Sequence, residues 1–128
     1  MRILVVEDEF LIAVDTEYTL RSWGYDVAGP VNNAADALRL GAYVDIALID
    51  VNLSDGPTGP ASAAYLNQMH GVTVIFTTAN PEMVVAHPHA IGVLPKPIYG
   101  PDLLSAIEYA IACRKGEAVV PPTCLKHA

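Results

Sequence analysis

Five short apolar runs, residues 3–6, 25–28, 46–49, 72–76 and 91–94, recur along the chain with helical patterns between them. Each run has strand length, and the Val/Ile-rich ones barely alternate in polarity, as expected of strands covered on both faces. Leu11, Val14 and Tyr18 repeat at helical spacing until Gly24. Asn33 can cap a second helix that runs to Gly41, and Ala61, Tyr65 and Met69 mark a third that ends at Gly71. Leu104, Ile107 and Ile111 mark the last, opened by Pro101 with Asp102 beside the positive end of its dipole. Strand and helix thus alternate. Right-handed crossovers of this length build an α/β, doubly wound parallel sheet, and five strands in 128 residues suit the flavodoxin-like order 2-1-3-4-5.

The fourth crossover departs from the rule. Only residues 79–95 separate Thr78 from Lys96, and Pro81, Pro88, Gly92 and Pro95 fall among them, so a shortened or irregular fourth helix of about two turns is expected. Residues 1–116 read as one domain. Residues 117–128, with Pro121 and Pro122 and no periodicity, read as a short, poorly ordered C-terminal tail without an output domain. Trp23 and the tyrosines are expected to pack helices against the sheet, with Tyr99 alternatively part of a partner surface.

Seven basic against fourteen acidic residues give a net charge of −7, which repels phosphate backbones and argues against a nucleic-acid role. Hydrophobic residues make up 52%, too many for a disordered chain, yet the longest uncharged stretch, 56–81, is broken by Gly59, Pro60 and Gly71, so no membrane span is expected. The opening residues carry no signal-peptide pattern, and Cys113 and Cys124 lack a pairing framework. A cytoplasmic location with reduced thiols follows as the expectation.

In an open parallel sheet, reactive groups gather outside the carboxyl ends of the strands. There the sequence has Glu7-Asp8-Glu9, Asp50, Thr77-Thr78 and Pro95-Lys96-Pro97, and Lys96 is the only Lys or Arg between Arg39 and Arg114. Carboxylates brought together raise one another's pKa unless a cation joins them. Mg²⁺, with Mn²⁺ as the alternative, suits such a set: Asp8 and Asp50 offer carboxylates and Asn52 a backbone carbonyl, leaving places for water and a phosphoryl oxygen. His87 and His89 lack a third ligand nearby and read as loop residues. Asp55-Gly56-Pro57-Thr58-Gly59-Pro60 reads as turn chemistry, since it lacks the lysine-serine ending of a phosphate loop.

Glu7-Asp8, Asp50, Thr78-Ala79 and Lys96-Pro97, in this order at successive strand ends, resemble the receiver domain of bacterial two-component response regulators over residues 2–115. The resemblance implies that Asp50 is a phosphoacceptor and that Asp8 binds Mg²⁺ directly and Glu7 through water. It further implies that Thr78 and Lys96 contact phosphoryl oxygens, that Asn52 and Asn80 tune the attacking water, and that the peptide before Pro97 is cis. Val93 stands where the family commonly has Tyr or Phe. The segment Phe76-Thr77-Thr78-Ala79-Asn80 partly resembles the receiver subfamily named for a Phe-Ala-Thr-Gly-Gly-Tyr motif, whose fourth helix is also short.

The function this implies is a stand-alone receiver. It takes a phosphoryl group from a sensor histidine kinase or phosphotransfer protein and signals through a downstream protein target, turning over only its own phosphoryl group. One alternative is a small phosphohydrolase working through an aspartyl phosphate, which wants a second Asp two residues after the first where this chain has Asn52. The other is a non-phosphorylated pseudo-receiver, against which the intact acid, threonine and lysine set argues.

Overall fold

The computed structural model describes residues 1–53, 55–56, 58–81 and 87–126. In chain order the elements are β1 (Arg2–Val6), α1 (Phe10–Ser22), β2 (Asp26–Val31), α2 (Ala34–Leu40), β3 (Ile46–Asp50), α3 (Gly59–His70), β4 (Thr73–Thr78), β5 (Gly92–Pro95) and α4 (Gly100–Arg114). The strands form one parallel sheet in the order β2-β1-β3-β4-β5, the flavodoxin-like arrangement expected. The expected fourth helix falls on residues 82–86, outside the described residues, so α4 here is the last helix.

The side-chain period of two splits the apolar strand residues between two cores. Ile3, Val5, Ile46, Leu48, Ile75 and Leu94 meet Leu20 of α1 and Leu103, Ala106 and Ile107 of α4 on one face; Leu4, Val6, Ala47, Ile49, Val74 and Phe76 meet Ala37 of α2 and Ala63 and Leu66 of α3 on the other. All five residues of β3 are buried, which explains its unbroken apolar run. Helix ends follow local chemistry. Asn33 Oδ1 accepts from the Asp36 N–H to cap α2, and α3 stops at Gly71, whose φ of 66° lies in the left-handed region.

The helix faces differ from the tyrosine expectation. Tyr18, Tyr43, Tyr65 and Tyr99 are exposed; Trp23, Tyr25 and Tyr109 do pack partly against the core. Leu11 (81% exposed), Tyr18 (74%) and Met69 (63%), which mark helical spacing in the sequence, lie on outward faces. The inward faces mix small residues, Ala13 and Thr16 in α1, Gly59, Ser62 and Ala63 in α3, Ala106 and Ala110 in α4, with a few large ones, Leu20, Leu66, Leu103 and Ile107. The strands already supply branched bulk, and small residues let the helices approach the sheet closely.

Residues 117–126 correct a second expectation. The segment returns along α4 and ends against the free edge of β5, where Lys126 and Val93 exchange two backbone hydrogen bonds (2.8 and 2.9 Å). Leu125 is 7% exposed and joins the core that α1 and α4 cover. Among the described residues no helix is long and apolar enough to cross a membrane.

Candidate functional site

Parallel pairing carries the ends of β1, β3, β4 and β5 to one rim, so Glu7, Asp50, Thr78 and Lys96 converge although they are scattered in sequence. Ile3, Val5 and Glu7 share a side of β1, as Ile46, Leu48 and Asp50 share a side of β3. The same alternation that buries the apolar residues therefore places both acids above one core. Each is nearly inaccessible, at 5% for Glu7 and 4% for Asp50.

Lys96 joins them. Its Nζ lies 2.7 Å from Glu7 Oε1 and 2.9 Å from Asp50 Oδ2, with the lysine side chain itself buried. Burial alone would push the ammonium pKa down, but hydrogen bonds and charge from both carboxylates outweigh it and hold it above the usual lysine range. Glu7 moves the other way, up to about 7, because burial and its hydrogen-bonded neighbour Asp50 disfavour a second anion more than Lys96 and the Glu9 N–H favour it. Two carboxylates sharing one ammonium leave the cluster short of positive charge.

Asp8 adds to the imbalance. It is exposed at the mouth, and carboxylate oxygens of Glu7, Asp8 and Asp50 lie within 4.8 Å of one another. A set of hard oxygen donors with surplus negative charge is what a divalent cation such as Mg²⁺ requires. The donor set present fits.

The other expected residues surround this cluster. The Asn52 N–H donates to Asp50 Oδ1 at 3.0 Å, fixing the carboxylate's second oxygen. Thr78 is buried at the end of β4, its Oγ1 accepting from the Asn80 N–H at 3.1 Å, so it sits on the rim in a contact of its own. Thr77, also buried, borders a void of about 10 Å³ behind Glu7 together with Thr16 and Ile98. The Lys96–Pro97 peptide is cis, and so is Gly29–Pro30, which nothing in the sequence reading singles out. His87 stacks edge-on against Phe76 and His89 contacts Asn67, both loop contacts rather than site contacts.

Two supports of the site escaped the sequence reading. Gly59 opens α3 directly behind Asp50, where a Cβ would lie 2.5 Å from the Asp50 carbonyl oxygen, so only glycine lets the helix start this close. Its signal was the second Gly-Pro pair of the turn, Gly59-Pro60, with proline in the first turn of the helix. Asp55 accepts from Thr58 Oγ1 (2.8 Å) and from the Ala34 N–H (3.1 Å), tying the loop after β3 to the start of α2.

Residues 3–108 match the model of the response regulator receiver domain. The chain belongs to that family, whose members are the receiver modules of two-component signalling. It is 30% identical over 114 residues to the phyllosphere-induced regulator PhyR of Methylorubrum extorquens, covering 85% of this chain and 43% of that protein. It is 28% identical to the transcriptional regulatory protein PdtaR of Mycobacterium tuberculosis, covering 87% of this chain and 57% of that one. The chain thus spans about half the length of the curated relatives it matches. The solution structure of the PhyR receiver domain of Erythrobacter litoralis superimposes with a TM-score of 0.81 at 28% identity, covering 93% of this chain and 95% of that one.

Proposed function

We propose that residues 1–116 form a cytoplasmic phosphorelay receiver, with 117–128 an appended segment, in which Asp50 accepts a phosphoryl group from a phosphohistidine on a sensor kinase or phosphotransfer protein. The observation that carries this reading is the buried Glu7–Lys96–Asp50 cluster with Asp8 at its mouth. An Asp50 oxygen attacks phosphorus as the phosphorus–nitrogen bond breaks, and the electron pair leaves with the imidazole nitrogen. Glu7, Asp8 and Asp50, with the Asn52 carbonyl, would hold Mg²⁺ or Mn²⁺, which when bound neutralises charge on the transferring group. Lys96 supplies a fixed positive charge beside the nucleophile without reorganising, and the Asn52 N–H orients the carboxylate. The Thr78 hydroxyl exchanges its Asn80 contact for a phosphoryl oxygen.

Donor docking has a surface to use. A groove of about 310 Å³ lies beside Lys96 between α1 and the turn after β5, lined by the apolar Leu11, Ile12, Pro97 and Ile98 with Asp15 and Thr19. The chain acts as a signalling module that turns over only its own phosphoryl group, with output through a protein target. Incubation with a small phosphodonor and Mg²⁺ should add one phosphoryl group by intact mass, and Asp50→Asn should abolish the gain. Equal uptake by the variant, or none by the wild type with small donors and with kinases, would sink the reading.

A further inference from the structure

The crossover from β4 returns to β5 through the turn His87-Pro88-His89-Ala90, and both of its histidines are half-buried against α3. The Ala90 N–H donates to the His87 carbonyl and the His89 N–H donates to His87 Nδ1, each at 3.3 Å, so one imidazole braces its own turn. The His87 ring stands edge-on to the buried Phe76 ring of β4, with centroids 5.1 Å apart, and also hydrogen-bonds to the backbone of Pro60 in the first turn of α3. Proline has no N–H, so the Pro60 carbonyl is the acceptor. Because Nδ1 already accepts, the ring proton of His87 sits on Nε2.

His89 carries the opposite tautomer. Asn67 Nδ2 donates to the Val72 carbonyl at 3.1 Å, which turns Asn67 Oδ1 toward His89 Nδ1 at 3.3 Å. That oxygen can only accept, so Nδ1 holds the proton, and the bare Nε2 accepts from the Gln68 amide at 3.4 Å. Each imidazole therefore gives one proton and takes one, an arrangement complete only while both rings are neutral. A second proton would set donor against donor, at the His89 N–H for one ring and at the Gln68 amide for the other. The ring centroids are 5.6 Å apart, so two charges would also repel. What faces the pair is uncharged: Phe76 from β4, and Pro60, Asn67 and Gln68 from α3. His70, the last residue of α3, turns to Tyr65 instead. Among the described residues the only titratable partner of either ring is the other one. Burial, and then His89, hold the His87 pKa below the usual imidazole range.

We propose that this turn is an acid-released latch, in which neutral His87 and His89 pin the end of the β4–β5 crossover to α3 and protonation of the pair frees it. The sign follows from the tautomers. A released His87 accepts a proton that the docked ring resists, so the latch is complete above the free imidazole range and fails as pH falls through the docked value. The crossover starts at Thr78 and Asn80, so the latch fixes the far end of a segment whose near end lies on the crevice rim. The proposal concerns the two histidines alone and stands independently of phosphoryl transfer at Asp50.

Long-range proton–nitrogen NMR of the imidazoles on the full chain tests it. At pH 7.5 the His87 proton should be on Nε2 and the His89 proton on Nδ1. Nuclear Overhauser contacts between the His87 and Phe76 rings should be present at pH 7.5 and lost at pH 5, and the Asn67 side-chain amide should shift with the same midpoint. The Ile91 amide, bonded to the Val74 carbonyl inside the sheet, should stay protected at both values and report an intact fold. The double variant His87→Gln/His89→Gln should show no transition over this range at the Phe76 ring or the Asn67 amide. Gln68→Glu, at an exposed position, gives a protonated His89 an acceptor and should move the release to lower pH. The same tautomer on both rings, His87–Phe76 contacts that survive protonation of both, an unchanged transition in the double variant, or one that Gln68→Glu leaves in place would each overturn the proposal.

Discussion

At its carboxyl end β5 hands Lys96 to a buried cluster of acids, whereas along its outer edge the same strand receives Leu125 and Lys126 from the segment after α4. The first region is built from charges that cannot be left unpaired; the second from two backbone bonds and a leucine in the space a glycine leaves. Removing one partner of a buried charge cluster is expensive because the others stay behind, while an edge contact can peel away and leave solvated groups. Stability and chemistry are therefore coupled in the crevice and separable at the edge.

The sharpest way to break that contrast is Lys96→Met, which leaves Glu7 and Asp50 buried together without a cation. A loss of about 3 kcal/mol is expected in urea unfolding at pH 8 without divalent ions, together with loss of phosphoryl uptake. Gly59→Ala comes next. Its Cβ must displace the Asp50 backbone, so about 2 kcal/mol should be lost despite the better helix propensity of alanine, and uptake should slow. At the edge, Leu125→Ala should cost only about 1 kcal/mol, because the segment releases instead of enclosing a cavity, and uptake from a small donor should not change. An uptake defect in Leu125→Ala equal to that of Gly59→Ala would erase the distinction between the regions.

The smallest effect is a slope. Folded Glu7 keeps its proton up to about pH 7, whereas the unfolded chain releases it near 4.5, so between these values the folded state binds more protons and stability falls as pH rises. In the absence of divalent ions, urea midpoints compared at pH 5 and 7.5 should show this fall in the wild type. Glu7→Gln should lack that component, and parallel pH profiles for the two chains would contradict the assignment.

The same comparison explains what the sequence disclosed. Strand order and crevice were legible because Glu7, Asp8, Asp50 and Lys96 are chemically distinctive and follow apolar runs whose period fixes where they end. The helix faces were less so. Leu11, Tyr18 and Met69 have the spacing of a core stripe, yet the inward positions of those helices go to Ala13, Thr16 and Leu20 in α1 and to Ser62, Ala63 and Leu66 in α3. The edge contact was illegible for a different reason: main-chain pairing does not depend on residue type, and the Gly92 notch has meaning only once Leu125, 33 positions away, is seen beside it. Pro121 and Pro122 read as disorder, yet Pro122 opens an ordered turn in which its carbonyl accepts from the Leu125 N–H.

In the proposed relay the crevice makes Asp50 the acceptor of a phosphoryl group. Hydroxylamine converts an aspartyl phosphate into a stable hydroxamate, which peptide mass spectrometry locates to a residue. After incubation with a phosphodonor and Mg²⁺, the account predicts a hydroxamate at Asp50 and at no other carboxylate. A hydroxamate at Asp8 or Glu7, or none anywhere while phosphate is bound, would contradict it.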